Sequence, residues 1–200
     1  MPMLKDIFKA VRVTIFLWLL TAFIYPLFIL MVGQVFLPEQ ANGNIKQNIH
    51  EKNYGSTLIG QKFVSEKYFH GRPSAVRYSI GRRGRPTGVS GASNLASSDP
   101  SLQQRVLEEA ELLREENIPP LAELIYTSGS GLDPHISVEA AEAQIDRVAF
   151  ARNLQEQEKR EIEKSIKEYT DGRFLGIFGE PGVNILQLNY ELDLKDINRN

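Results

Sequence analysis

The 200-residue chain contains no cysteine. That excludes disulfides, thiol catalysis and any zinc site built on thiolates. Histidine is scarce: His50, His70 and His135 are the three, and none has the H-x3-H or HExxH spacing that lets two imidazoles close on one metal. No strong charge of either sign is present, and a formal net charge of −2 gives no electrostatic footprint for nucleic acid. G-x4-G-K-[ST] and G-x-S-x-G are also missing, so neither a P-loop nor a nucleophile elbow is expected. No internal repeat is visible, and the length suits one ordinary domain with an appendage.

The appendage is a long apolar run. From Val13 to Leu37, 25 residues carry no charged side chain, enough to cross ~30 Å of hydrocarbon at ~1.5 Å per residue. Backbone groups in lipid must bond internally, so the segment should be helical, with Pro26 as a candidate kink. It is longer than the ~15-residue apolar stretch of a signal peptide, and no A-x-A cleavage site follows it. An uncleaved anchor is the expectation. Lys5, Lys9 and Arg12 precede the span with one acid, Asp6, whereas Glu39 is the first charge after it. The positive-inside rule then places residues 1–12 in the cytoplasm and everything from Pro38 outside. A lone span with no polar stripe cannot form an ion pathway, so any transport role needs a partner's pore.

Residues 38–55 are polar, with Asn42, Asn44, Asn48 and Asn53, and are expected to be a tether; 56–200 is the expected soluble domain. Short strands are expected around Ser56–Phe63. The cluster Arg77, Arg82, Arg83 and Arg85 reads as a solvated loop rather than an anion site. Asp99 is a good N-cap with Pro100 at the first helical position, and Leu102, Val106, Ala110 and Leu113 recur at helical spacing up to Asn117–Pro120. Ser137 should cap a second helix with Val138, Ala141, Ile145, Val148 and Ala149 on one face, and Glu156 to Tyr169 should form a third. In "LQLNYELDL", Leu186, Leu188, Tyr190, Leu192 and Leu194 alternate with polar residues, which predicts a strand. Helices in the middle and strands toward both ends indicate an α+β domain, with about three helices and a small, mostly antiparallel sheet.

The stretch "YTSGSGLDPHIS", Tyr126–Ser137, has the ingredients of chemistry: Ser128, Ser130, Asp133 and His135 with Gly129 and Gly131 between them. A membrane-tethered hydrolase using these side chains is one reading. A triad needs its imidazole between hydroxyl and carboxylate, and one short loop rarely aims three side chains at a point. The alternative is a shaped turn: glycines allowing φ > 0, Asp133 forming an Asx-turn over Pro134, Ser137 capping the next helix, and His135 donating to a backbone carbonyl. Such a loop, Ser128-Gly129-Ser130-Gly131-Leu132-Asp133-Pro134-His135, suits a partner-docking or structural surface better than catalysis.

"SGSGLDPHIS" followed by "AAEAQIDRVAFAR" resembles the signature of the C chain of potassium-transporting Kdp ATPases. "GSTLIGQKF", "YFHGRPSA", "SGASNLASSDP" and "GRFLGIFGEPGVNILQLNYELD" follow the same family in order. Ala92 and Ala96-Ser97 stand where the family usually has glycines and a proline, and Asn153 replaces a helix-ending glycine with another residue that tolerates the left-handed region. The resemblance implies a non-catalytic subunit of a bacterial inner-membrane complex. Its partners would be a channel-like subunit that carries K+, a P-type ATPase subunit that hydrolyses ATP, and a small helical subunit. The D-K-T-G-T phosphorylation motif is absent, so the chain is not expected to be the ATPase itself. The family's C chain is described as a catalytic chaperone raising the ATP affinity of the ATPase subunit. With ATP in the cytoplasm and residues 38–200 expected outside, such an effect would have to be indirect.

Overall fold

The computed structural model describes residues 2–47, 53–81 and 83–199; Asn48, His50 and Arg82 of the expectations above lie outside them. The chain divides into two compact units, Met1–Ile45 and Lys46–Asn200.

The first unit is the apolar helix. It runs through α1 (Pro2–Leu19), one π-helical turn (Leu20–Ile24) and α2 (Tyr25–Phe36), and Met3–Phe36 is long and apolar enough to cross a membrane. The proline expected to disturb the helix sits just after the widened turn, where Tyr25 N–H reaches back to Leu20 O. Pro26 lacks the N–H a regular helix would use, and the π turn absorbs that fault without a break. Thr21 Oγ1 donates to Leu17 O at 2.8 Å, so the span's hydroxyl is satisfied within its own helix. A short helix α3 (Pro38–Ala41) follows, with Asn42 bonded back to Gln34 and Pro38.

The second unit confirms the α+β expectation. A two-stranded sheet joins β1 (Ile45–Gln47) and β2 (Asn53–Ser56); the strand expected over Ser56–Phe63 thus ends where it was expected to begin. A three-stranded antiparallel sheet has the order β3 (His135–Ile136), β5 (Gly182–Asn184), β4 (Thr170–Asp171). Val183 faces Ile136 on one side and Thr170 on the other. Around it lie α4 (Pro100–Glu115), α5 (Ala122–Ile125), α6 (Val138–Glu142), α7 (Ile145–Ala151), α8 (Glu156–Glu168) and α9 (Ile185–Arg199). Phe69, Ile136, Val148, Ile162, Ile166, Val183 and Leu188 form the centre of one core.

The capping expectations hold in atomic detail. Asp99 accepts from Ser101 N and Ser137 from Ala140 N, while α4 gives way to Asn117 at φ 59°. Asn153 ends α7 at φ 53°. Two expectations fail. The helix expected from Ser137 through Ala149 is two helices, because at the turn between them Gln144 donates to Ala140 O and turns the rest of its amide elsewhere. The C-terminal "strand" is helix α9. Its core face is Ile185, Leu188, Asn189 and Leu192, all at most 3% exposed, and that is helical spacing.

Candidate docking surface

The loop between α5 and α6 is bound through its backbone on every side. Ser128 N donates to Pro73 O (3.0 Å), Gly60 N to Leu132 O (2.8 Å), Gly91 N to Ser130 O (2.7 Å) and Ile185 N to Pro134 O (3.0 Å). Ser74 Oγ and Ser90 Oγ donate to Gly131 O and Ser130 O. Three irregular segments and the first residue of α9, whose polar groups are not satisfied locally, therefore use this loop as their common partner. The close approach explains the sequence: a Cβ at Gly60 would stand 2.5 Å from Asp133 O.

The side chains expected to do chemistry are placed as follows. Asp133 Oδ1 accepts from His135 N at 3.0 Å, the expected Asx-turn, and Oδ2 pairs with Arg72 at 3.2 Å. The His135 ring does not bond a backbone carbonyl as expected. Its Nε2 lies 2.9 Å from Asp171 Oδ2 and 3.4 Å from Asn184 Nδ2. Ser130 Oγ accepts from Leu132 N, and Ser128 is buried. Asp133 and His135 come together, but the partners of the imidazole are two carboxylates and an amide rather than a serine hydroxyl. Of the two glycines, Gly131 alone has positive φ, 66°. Leu132 is half-buried, and among the described residues no group of three His, Cys, Asp or Glu side chains is arranged to hold a metal.

A second polar cluster, behind this loop, escaped the sequence reading. The strandless stretch 66–70 enters the core and is held there by side chains acting as a substitute sheet edge. Asn189 accepts from Phe69 N at 2.8 Å and donates to Phe69 O at 2.9 Å. Gln144 accepts from His70 N at 2.8 Å and donates to His70 O at 3.1 Å. Arg147 donates to Glu66 O, Tyr68 O and Gln144, with Glu116 3.2 Å from its Nε. Arg152 donates to Lys67 O, Asp193 and Asp196, and stacks 5.0 Å over the Tyr68 ring. Tyr54 and Tyr68 both donate to Asp193 Oδ2; burial, then the Asp193 charge, raises both phenols above their ordinary range. Burial likewise lowers the Arg147 guanidinium from its ordinary value.

These blocks are the ones that carry the family resemblance, and their geometry now explains why they occur together: "YFHGRPSA" is gripped by "AQIDRVAFAR" and "NILQLNYELD". The family model for the K+-transporting ATPase c chain, KdpC, matches residues 7–194. The chain belongs to the KdpC family. Similar proteins include a KdpC subunit 2 of Nostoc sp., 62% identical over all of this chain and 98% of that protein. A KdpC subunit of Synechocystis sp. is 52% identical, covering 96% and 99% of the two chains. One from Clostridium perfringens is 41% identical, covering 95% and 98%. KdpC membership accounts for both units at once, since the match runs through the apolar helix and the domain.

The polar cluster makes this KdpC-family domain acid-sensitive at one identifiable position. Burial first, and the Arg147 charge second, lower His70 to about 4 from an ordinary 6.5. Its Nε2 sits 3.2 Å from Arg147 Nη1 and 3.2 Å from Ser65 O. Between those two pKa values the unfolded chain binds the proton and the folded chain does not, so stability falls as pH drops from about 6.5 toward about 4. A shift of this size corresponds to about 3 kcal/mol. Above pH 7 His70 adds no slope. Urea midpoints of the detergent-solubilised chain at pH 7 and pH 4.5 should therefore separate by more in the wild type than in His70→Gln; equal separations would refute the assignment.

Proposed function

We propose that the chain is the non-catalytic, single-pass assembly subunit of an ATP-driven potassium uptake complex. The observation that carries this reading is the continuous family match over both units. Two structural features support it: one apolar helix with no charged side chain between Val13 and Leu37, and a serine–histidine loop whose groups are engaged as scaffold. In this reading the N-terminus is cytoplasmic and the domain faces the exterior of the inner membrane. K+ is held by the channel-like subunit and ATP by the P-type ATPase subunit, with a small helical subunit beside them. The 126–137 loop serves as the structural and docking loop that shapes the face meeting the partners. The chain acts as a catalytic chaperone, raising the ATP affinity of the ATPase subunit indirectly, by favouring one conformation of the complex.

Purification in mild detergent tests this. The tagged chain should bring down the channel-like and ATPase subunits, and complex lacking it should need more ATP for half-maximal K+-stimulated hydrolysis. An unchanged ATP requirement would remove the chaperone role, and failure to recover either subunit would remove the assembly role. Protease added outside spheroplasts should degrade the domain; full protection would reverse the orientation.

A further inference from the structure

The hairpin between β4 and β5 ends in "FLGIF", Phe174–Phe178, and among the described residues this tip gathers four exposed large apolar side chains within five positions, outside the long apolar helix. Phe174, Leu175, Ile177 and Phe178 are 70%, 73%, 74% and 61% exposed. Together they present roughly 400–500 Å² of apolar surface, the size of the largest patch on a typical soluble domain, which is often functional. The tip is built rather than loose. Phe174 N donates to Phe178 O at 2.8 Å and Phe178 N to Phe174 O at 3.0 Å. Leu175, Gly176 and Gly179 hold positive φ values of 53°, 72° and 84°. Placing a leucine in the left-handed region costs about 1 kcal/mol or more, and here that conformation turns the leucine outward. A Cβ added at Gly172, Gly176 or Gly179 would meet nothing within 4 Å, so the hairpin stands proud of the domain. Its base is fixed by the pairing of Asp171 with Gly182 and by His135 Nε2 on Asp171 Oδ2.

We propose that this tip is the knob by which the exterior domain docks into an apolar pocket, rimmed by basic side chains, on a partner subunit of the complex. The charge around the tip selects this occupant over a lipid surface. Along the hairpin Asp171 and Glu180 flank it, against Arg173, and both acids are exposed. An anionic bilayer surface favours juxtaposed basic residues and repels such a rim, whereas a basic-rimmed protein pocket complements it. A convex apolar cluster ringed by charge also has the anatomy of an interface centre. The proposal rests on the reading of the chain as a complex subunit, and it makes the 126–137 loop the brace of the docking element through His135.

The test uses the full tagged chain co-expressed with its complex, as wild type and as Leu175→Asn/Ile177→Asn. Asparagine tolerates the left-handed region at 175, so the thermal midpoint in detergent should hold while recovery of the partner subunits falls at least ~10-fold, as expected for losing a central apolar anchor. Full recovery with the double variant overturns the proposal. If the wild type recovers no partner, the assembly reading fails and the proposal with it. The absence of cysteine permits a second arm: Leu175→Cys carrying an environment-sensitive fluorophore, which also decides the matter if the double variant unfolds. A blue shift on assembly of the complex, and none for the chain alone in lipid nanodiscs, supports docking. A blue shift in nanodiscs alone means that lipid is the occupant and overturns it.

Discussion

Asn189→Leu should lower the stability of the second unit, Lys46–Asn200, by about 3–4 kcal/mol, more than its conservative size suggests. The amide is wholly buried in α9, and its two ends complete the N–H and C=O of Phe69, itself wholly buried. Leucine fills nearly the same space between Leu188 and Leu192 but leaves both backbone groups without a partner. Each orphaned group costs about 1–3 kcal/mol. For a domain near 150 residues this is a drop of about 10 °C in the thermal midpoint, readable by circular dichroism of the detergent-solubilised chain. Gln187→Ala on the same helix is the control, with an expected change within ~0.5 kcal/mol. A loss below about 1 kcal/mol for Asn189→Leu would mean that water, not the amide, sustains the 68–70 segment.

The same residue explains where the sequence misled. Leu186, Leu188, Tyr190, Leu192 and Leu194 alternate with polar residues, and a half-buried strand is the ordinary meaning of alternation. In helical spacing the core face of α9 is Ile185, Leu188, Asn189 and Leu192. One of those four is polar, so the helical stripe looked interrupted and the alternating one complete. A signal was present: no β-branched residue lies between Leu186 and Asp196, and leucine, glutamine, glutamate and lysine dominate, which favours helix. Gln144 and Arg147 were overlooked for a related reason. Buried polar side chains that satisfy another segment's backbone have no sequence period of their own, because the segment they serve lies more than seventy residues away.

Local signals were read well by contrast. Asp99-Pro100, Ser137 and Asn153 act within one turn of their own position, so their chemistry does not depend on the tertiary fold. The apolar span was legible because the bilayer imposes length and composition directly. The candidate loop was half legible. Its Asx-turn and cap are local and were expected; its role as a hub for Pro73, Gly91, Gly60 and Ile185 is non-local and was not. Nor did composition suggest that His135 would turn away from the serines to Asp171.

Gly131→Ala and Gly129→Ala, two residues apart in S-G-S-G, should have opposite outcomes. Gly131 holds φ 66°, and a Cβ there would stand 2.5 Å from Val76 Cγ2 and 2.7 Å from the backbone oxygen of Gly91. The methyl therefore meets left-handed strain of about 1 kcal/mol and a backbone clash that side-chain rotation cannot relieve; together about 3 kcal/mol is expected. Retreat of Gly91 would also stretch its 2.7 Å bond to Ser130 O, and Ser74 would lose its grip on Gly131 O. Gly129 has no positive φ and nothing within 4 Å of an added Cβ. Alanine there should be neutral or raise stability by a few tenths of a kcal/mol through the unfolded chain. Thermal midpoints of the two variants measure the contrast, and equal midpoints would refute the hub geometry. Recovery of partner subunits then separates scaffold from contact. Gly131→Ala should weaken assembly only in proportion to its lost fold, and Gly129→Ala should assemble normally. Failure of Gly129→Ala to assemble with an unchanged melt would make the exposed part of this loop itself the contact, because a methyl pointing into open space can disturb only what arrives from outside.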